Sequence, residues 1–144
     1  MGSARYARGF RDLDVYAKAR EVSRSIFDLS KGFPKEETYA LTDQVRRSSR
    51  SIGAQIAEAW GKRRYERHFI SKLTDADAEQ METQHWVEIA RDCDYMTDEQ
   101  ACAIVAGLSE VGAMLGSMMA KADRFCSKQG STVTEDTDDY IIEH

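Results

Sequence analysis

Residues 97–125 read TDEQACAIVAGLSEVGAMLGSMMAKADRF. Ala101, Ile104, Leu108, Val111, Leu115, Met118, Ala122 and Phe125 recur at steps of three and four, which places them along one side of a helix as a heptad-like seam. Thr97-Asp98-Glu99-Gln100 has the spacing of a capping box and predicts where that helix begins. Such a seam must be covered by other helices. Gly112 and Gly116 lie one turn apart beside it, where a missing side chain would admit another helix backbone, although each glycine weakens a helix by about 1 kcal/mol relative to alanine.

Working outward, the preceding stretch predicts a helix over 66–94 with Phe69, Leu73, Ala76, Gln80, Thr83, Val87 and Ala90 inward, flanked by Trp86 and Cys93. A further helix is expected to start just after Pro34. Glu36 and Glu37 fall in its first turn, where the helix dipole favours acids, and Gly61 ends it. Its stripe is Leu41, Val45, Ser48, Ile52, Ile56 and Ala59. The first helix is expected over 13–30, capped by Asp12 and closed by Gly32 and Pro34, with Leu13, Tyr16, Ala19, Val22, Ile26 and Leu29 on one face. No stretch shows strand alternation. Four helices with short connections predict an all-α chain folded as an antiparallel up-down four-helix bundle. Residues 1–11 form an N-terminal arm, 12–126 the bundle, and 127–144 an acidic tail expected to be disordered.

Charge is divided along the chain. Residues 1–72 carry 16 basic and 9 acidic side chains, a balance of +7; residues 73–144 carry 4 and 16, a balance of −12; together they make the net −5. Residues 44–72 concentrate the basic side: Arg46, Arg47, Arg50, Lys62, Arg63, Arg64, Arg67 and Lys72 against Glu58 and Glu66. At 100° per residue, Arg46, Arg47 and Arg50 point away from the apolar stripe and are expected to reach solvent. Lys62, Arg63 and Arg64 fall in a connection beside Trp60 and Tyr65. Guanidinium forks suit phosphates, and aromatic faces can stack on bases. The competing use is assembly, because residues 73–99 hold nine acids against Arg91 alone and can absorb that charge within or between subunits.

Several chemistries find no support. Glu82 and His85 form one E-x-x-H, whereas a di-metal bundle needs two such motifs and two further Glu residues. His68 and His144 offer no second cluster, and there is no phosphate loop or nucleophile elbow. No enzyme, metal or cofactor is expected. Glu79, Glu82 and Thr83 near the stripe of the third helix, with Ser51 and Glu58 on the second, are expected to make structural polar contacts. An unpaired buried carboxylate is costly, so Arg47 or a serine of the second helix is expected to meet Glu79. Cys93, Cys102 and Cys126 are odd in number and lack metal spacing; buried free thiols in a reducing cytoplasm are expected. No uninterrupted apolar run approaches the roughly 20 residues of a membrane span, and the N-terminus has no apolar signal segment.

At the second and third helices the chain resembles a family. Gln44-Val45-Arg46-Arg47-Ser48-Ser49, followed by Ser51-Ile52-Gly53-Ala54-Gln55-Ile56-Ala57-Glu58-Ala59, is similar to a segment of the four-helix-bundle proteins related to 23S ribosomal-RNA intervening-sequence proteins (S23-type). Phe69, Ile70, Lys72, Leu73, Ala76, Glu79, Glu82, Thr83 and Trp86 match that family's third-helix pattern. Phe10, Leu13, Val15 and Tyr16, and the turn from Phe33 and Pro34 to Leu41, also fit. The resemblance covers roughly residues 10–126. It implies a bundle that assembles as a ring-like homopentamer. It also implies kinship with accessory proteins of diversity-generating retroelements, which bind nucleic acid and a reverse transcriptase. Gln55 departs from the usual Asn, and Asp77 stands where many relatives carry Lys. The resulting expectation is an oligomeric adaptor contacting RNA or DNA through Arg46, Arg47, Arg50, Lys62, Arg63, Arg64 and Arg67. A protein–protein scaffold built from the same charges is the alternative.

Overall fold

Thr97 caps the last long helix in both directions: its Oγ1 accepts from the Gln100 amide at 3.1 Å, and its own amide donates to Gln100 Oε1 at 3.0 Å. In this computed structural model, which describes residues 5–126 and 141–142 and the side chains of 7–126, that cap begins α4, Asp98–Ala120. α1 spans Asp14–Ser30, α2 Asp43–Gly61 and α3 Glu66–Asp92. A last turn, α5, covers Ala122–Phe125. α1 packs on α2, α2 on α3, α3 on α4, and α4 returns to α1, so the helices form a closed square of antiparallel neighbours. The expected all-α bundle is the observed one.

The seven inward positions of α3, from Phe69 to Ala90, are all buried, and so are Leu41, just before α2, and the five inward positions of α2 from Val45 to Ala59. The α4 seam from Ala101 to Phe125 is buried throughout. The period of 3.6 aligns these residues, and removing them from water supplies the drive, about 1.5–3 kcal/mol for each fully buried large side chain. Phe69 and Phe125 stack at one end of the core, ring centroids 5.8 Å apart; Phe33 and Tyr95 close the other end at 5.7 Å.

The differences from expectation lie at helix ends. Asp12 does not cap α1. It belongs to a 3-10 turn, Phe10–Asp12, and accepts from the Arg8 amide, while Leu13 takes the cap position without a side-chain bond. The chain is helical from Lys35, but as a 3-10 turn, Lys35–Glu37, and a π turn, Thr38–Thr42, before α2 settles into α geometry. Periodicity carries no information about that change of pitch. α3 stops at Asp92 because Asp94 turns left-handed (φ 61°). The Tyr95 amide then reaches Ala90 O and the Asp94 amide reaches Arg91 O. This is a Schellman ending with Asp94 where glycine is usual.

Of the α4 glycines, Gly107 and Gly112 lie at close approaches, Gly112 with a Cβ position 2.9 Å from Gln80 Nε2. A Cβ at Gly107 would lie 2.9 Å from Val22 Cγ2 of α1. Gly112 faces the side chains of Gln80 and Asp77, and Gly116 has nothing within 4 Å. Cys93 and Cys102 are exposed, contrary to the expectation of three buried thiols; only Cys126 is buried. Burial pushes the Cys126 thiol up to about 11. α4 is also long and apolar enough by composition to cross a membrane, a test that core helices of bundles pass as well. Its apolar stretch is interrupted by Glu110, so it is not an uninterrupted apolar run. Arg5–Tyr6 pairs antiparallel with Ile141–Ile142, a two-residue ladder where no strand was expected. The rest of the expected disordered tail lies outside the described residues.

Candidate nucleic-acid interface

Arg46 on α2 is half-buried rather than solvated. Its Nε donates to Ser30 Oγ at 2.7 Å, and its guanidinium lies 4.7 Å from the Phe27 ring centre of α1. Arg50 is exposed beside the same ring, at 5.5 Å. The two residues, one turn apart, therefore grip α1. Arg47 projects to the other side of α2, exposed, where its Nη2 meets Glu82 Oε2 of α3 at 3.5 Å. A surface pair of this kind contributes about 0–1 kcal/mol. Angle around the helix separated these arginines from the core, but it did not show that Arg46 leans onto a neighbouring helix.

The α2–α3 connection sorts in the same way. Arg63 folds back to close α2: its guanidinium stacks on Trp60 at 3.6 Å and its Nε donates to Trp60 O at 2.7 Å. Lys62, Arg64 and Arg67 are exposed. Tyr65 is 51% exposed among them, with the exposed His68 ring 5.3 Å away. Lys72, one turn into α3, is engaged with Glu58 of α2 at 2.6 Å; the pairing lowers the Glu58 pKa and raises that of Lys72.

The polar residues of the α2–α3 seam meet differently from expectation. Thr83 Oγ1 contacts Ser48 Oγ at 2.9 Å in the core. Glu82 accepts from Trp86 Nε1 at 3.0 Å as well as from Arg47. Glu79 receives neither Arg47 nor a serine: its buried Oε2 has no hydrogen-bond partner. Burial, and then the neighbouring Glu82 carboxylate, raise its pKa, while the Arg47 charge pulls it back. Among the described residues no group of three or more His, Cys, Asp or Glu side chains is placed to hold a metal.

Antiparallel packing turns the charge split of the sequence into two poles. The start of α1, the end of α2, the start of α3 and the end of α4 meet at one end of the bundle. There, residues 7–14, 61–68 and 120–126 hold eight basic and four acidic side chains. At the opposite end, residues 28–43 and 88–100 hold three basic and nine acidic ones. The two ends of the bundle therefore differ in the sign of their charge.

These features define a four-helix bundle with a cationic pole. The chain belongs to the 23S rRNA-intervening sequence protein family, whose profile matches residues 11–117. A crystal structure of a protein with unknown function from the S23 ribosomal protein family of Bacteroides thetaiotaomicron VPI-5482 shares the fold. The TM-score is 0.66 at 33% identity, covering 73% of this chain and 97% of that one. No curated protein matches the sequence.

Proposed function

We propose that this chain is a non-enzymatic, oligomeric adaptor of the cytoplasm that contacts RNA or DNA through the cationic pole. The observation that carries the reading is the exposure of Lys62, Arg64 and Arg67 around the half-exposed Tyr65, with Glu66 the one acid among them. Phosphates are held by such cations and bases by such a ring. Arg47 and Arg50 extend the exposed charge along α2, whereas Arg46 and Arg63 serve the bundle. The test is a filter-binding titration of structured RNA at low and moderate salt. Wild type is expected to retain RNA with a steep salt dependence. Exchanging Lys62, Arg64 and Arg67 for Glu is expected to remove retention while leaving the far-UV circular dichroism unchanged. Wild type that retains no RNA at low salt refutes the reading.

A second reading, a self-assembling protein–protein scaffold, has its own support in α4. Only 33% of that helix's most apolar window is buried, so apolar and small residues face outward, available to other copies in a ring. Size exclusion with light scattering tests it: a ring of five gives a mass near five times 16.3 kDa. In this reading Arg47→Glu with Arg50→Glu breaks the assembly and no RNA is retained. A reverse transcriptase is the protein partner that either reading would place beside it.

A further inference from the structure

α1 and α2 do not close fully against each other. Between them runs a groove of about 510 Å³, whose α2 wall is lowered by small residues, Gly53, Ala54 and Ala57. The α1 wall carries Tyr16, Arg20, Arg24 and Phe27, and Arg50 leans in from α2. Among the described residues no acidic side chain lines it. Arg24 is paired with Asp28 on its own helix, at 3.6 Å. Both rings already carry cations: the Arg20 guanidinium lies 5.8 Å from the Tyr16 centre, and around Phe27 stand Arg46 at 4.7 Å, Lys31 at 4.8 Å and Arg50 at 5.5 Å. Gly53 leaves room for Tyr16, whose ring would touch a Cβ there at 3.5 Å. The lower end of the groove, at Ala57, is one turn from Gly61, where the cationic pole begins.

We propose that the α1–α2 groove is a site for single-stranded nucleic acid, with Arg20, Arg24 and Arg50 on phosphates and the Tyr16 and Phe27 faces toward bases. This rests on the nucleic-acid reading of the cationic pole and extends it: a strand held at the pole continues into the groove. Tyr16 and Phe27 stand eleven residues apart on α1, about 16 Å along the axis. That spacing suits an extended strand with more than one base stacked. Alternating arginine forks and ring faces, with no base-edge reader among them, predict weak sequence preference. An acidic peptide would satisfy the charges and leave the ring faces unused.

The experiment is fluorescence anisotropy with a labelled ten-nucleotide oligouridylate and, separately, a labelled RNA hairpin duplex. Wild type is compared with R20E/R24E, the milder R20Q/R24Q and the Glu-exchanged pole variant. Both groove pairs sit on the surface of α1, and a thermal melt confirms folding. The groove variants are expected to bind oligouridylate at least ten-fold more weakly and the hairpin within two-fold of wild type. The oligouridylate salt slope is expected to fall by about 1.4, for two phosphate contacts at roughly 0.7 each. If the groove variants bind oligouridylate like wild type while the pole variant does not, the groove proposal fails and the pole reading stands. Displacement of the oligomer by polyglutamate at equal charge overturns the groove proposal in favour of an acidic peptide. Wild type that binds neither probe removes both.

Discussion

Ser48 on α2 and Thr83 on α3 meet through their hydroxyls, 2.9 Å apart, at positions that expose no measurable surface. Thr83 Oγ1 also lies 2.7 Å from Glu79 O, and Ser48 Oγ lies 3.3 Å from Val45 O, so each hydroxyl has a carbonyl of its own helix to fall back on. The contact thus ties the two helices in register without leaving a stranded donor. Ser48→Ala and Thr83→Val are each expected to cost about 1 kcal/mol. The double variant should cost less than their sum by about 0.5–1 kcal/mol, because either single change already removes the shared hydroxyl contact. Urea unfolding of the four proteins measures this. Additive losses would mean the two hydroxyls do not interact.

The α4 glycines should separate by sign. Gly116→Ala meets nothing within 4 Å and should gain up to about 1 kcal/mol from helix propensity. Gly107→Ala gains the same propensity but sets a Cβ 2.9 Å from Val22 Cγ2, a short branched side chain that cannot swing aside. Overpacking of this kind costs about 1–3 kcal/mol, so the net effect is destabilising. Thermal melts of the two variants in opposite directions are the expected result.

Thiol reactivity should divide two to one. Cys93 and Cys102 are exposed and should label within minutes with a maleimide. Cys126 is buried beside the Phe69–Phe125 end of the core, and burial holds its thiol at about 11, so little thiolate is present at neutral pH. Mass spectrometry should show two additions in native buffer and three in denaturant. Three fast additions would show that the Cys126 end opens readily.

Tyr95 links stability to alkaline pH. Its hydroxyl donates to Glu37, and that bond, followed by burial, pushes its pKa up to about 12 from an unfolded value near 10. The folded state holds this proton more tightly than the unfolded chain. The contribution is therefore complete below pH 10 and is lost as pH rises through 12. The stability difference between wild type and Tyr95→Phe should shrink across that window, and a 295 nm titration of wild type should show one tyrosine ionising late. A difference that stays constant from pH 9 to 12 would contradict the bond to Glu37.

The helix faces were legible because burial and the 3.6-residue period act on the same side chains. Phe69 to Ala90 could be assigned inward with no knowledge of what covered them, even at the polar positions Gln80 and Thr83. Asp12 misled because a cap depends on the φ and ψ of the residue that follows, and a 3-10 turn intervened. Arg63 misled because its fate rests on Trp60 lying flat one turn earlier. Cys93 and Cys102 misled because cysteine in a helical pattern reads as apolar on whichever face it falls.

From its sequence alone, this protein had four amphipathic helices, a capped α4, and an excess of cations in the first half of the chain. Those are properties of neighbouring residues and of helical pitch. Only tertiary structure decided that antiparallel packing would gather Lys62, Arg64 and Arg67 at one pole with the ends of α1 and α4. Only tertiary structure, too, placed Tyr16, Arg20 and Arg24 of α1 beside Arg50 of α2. Residues far apart in the chain share a surface only where packed helices bring them together, and no periodicity within one helix records its neighbour.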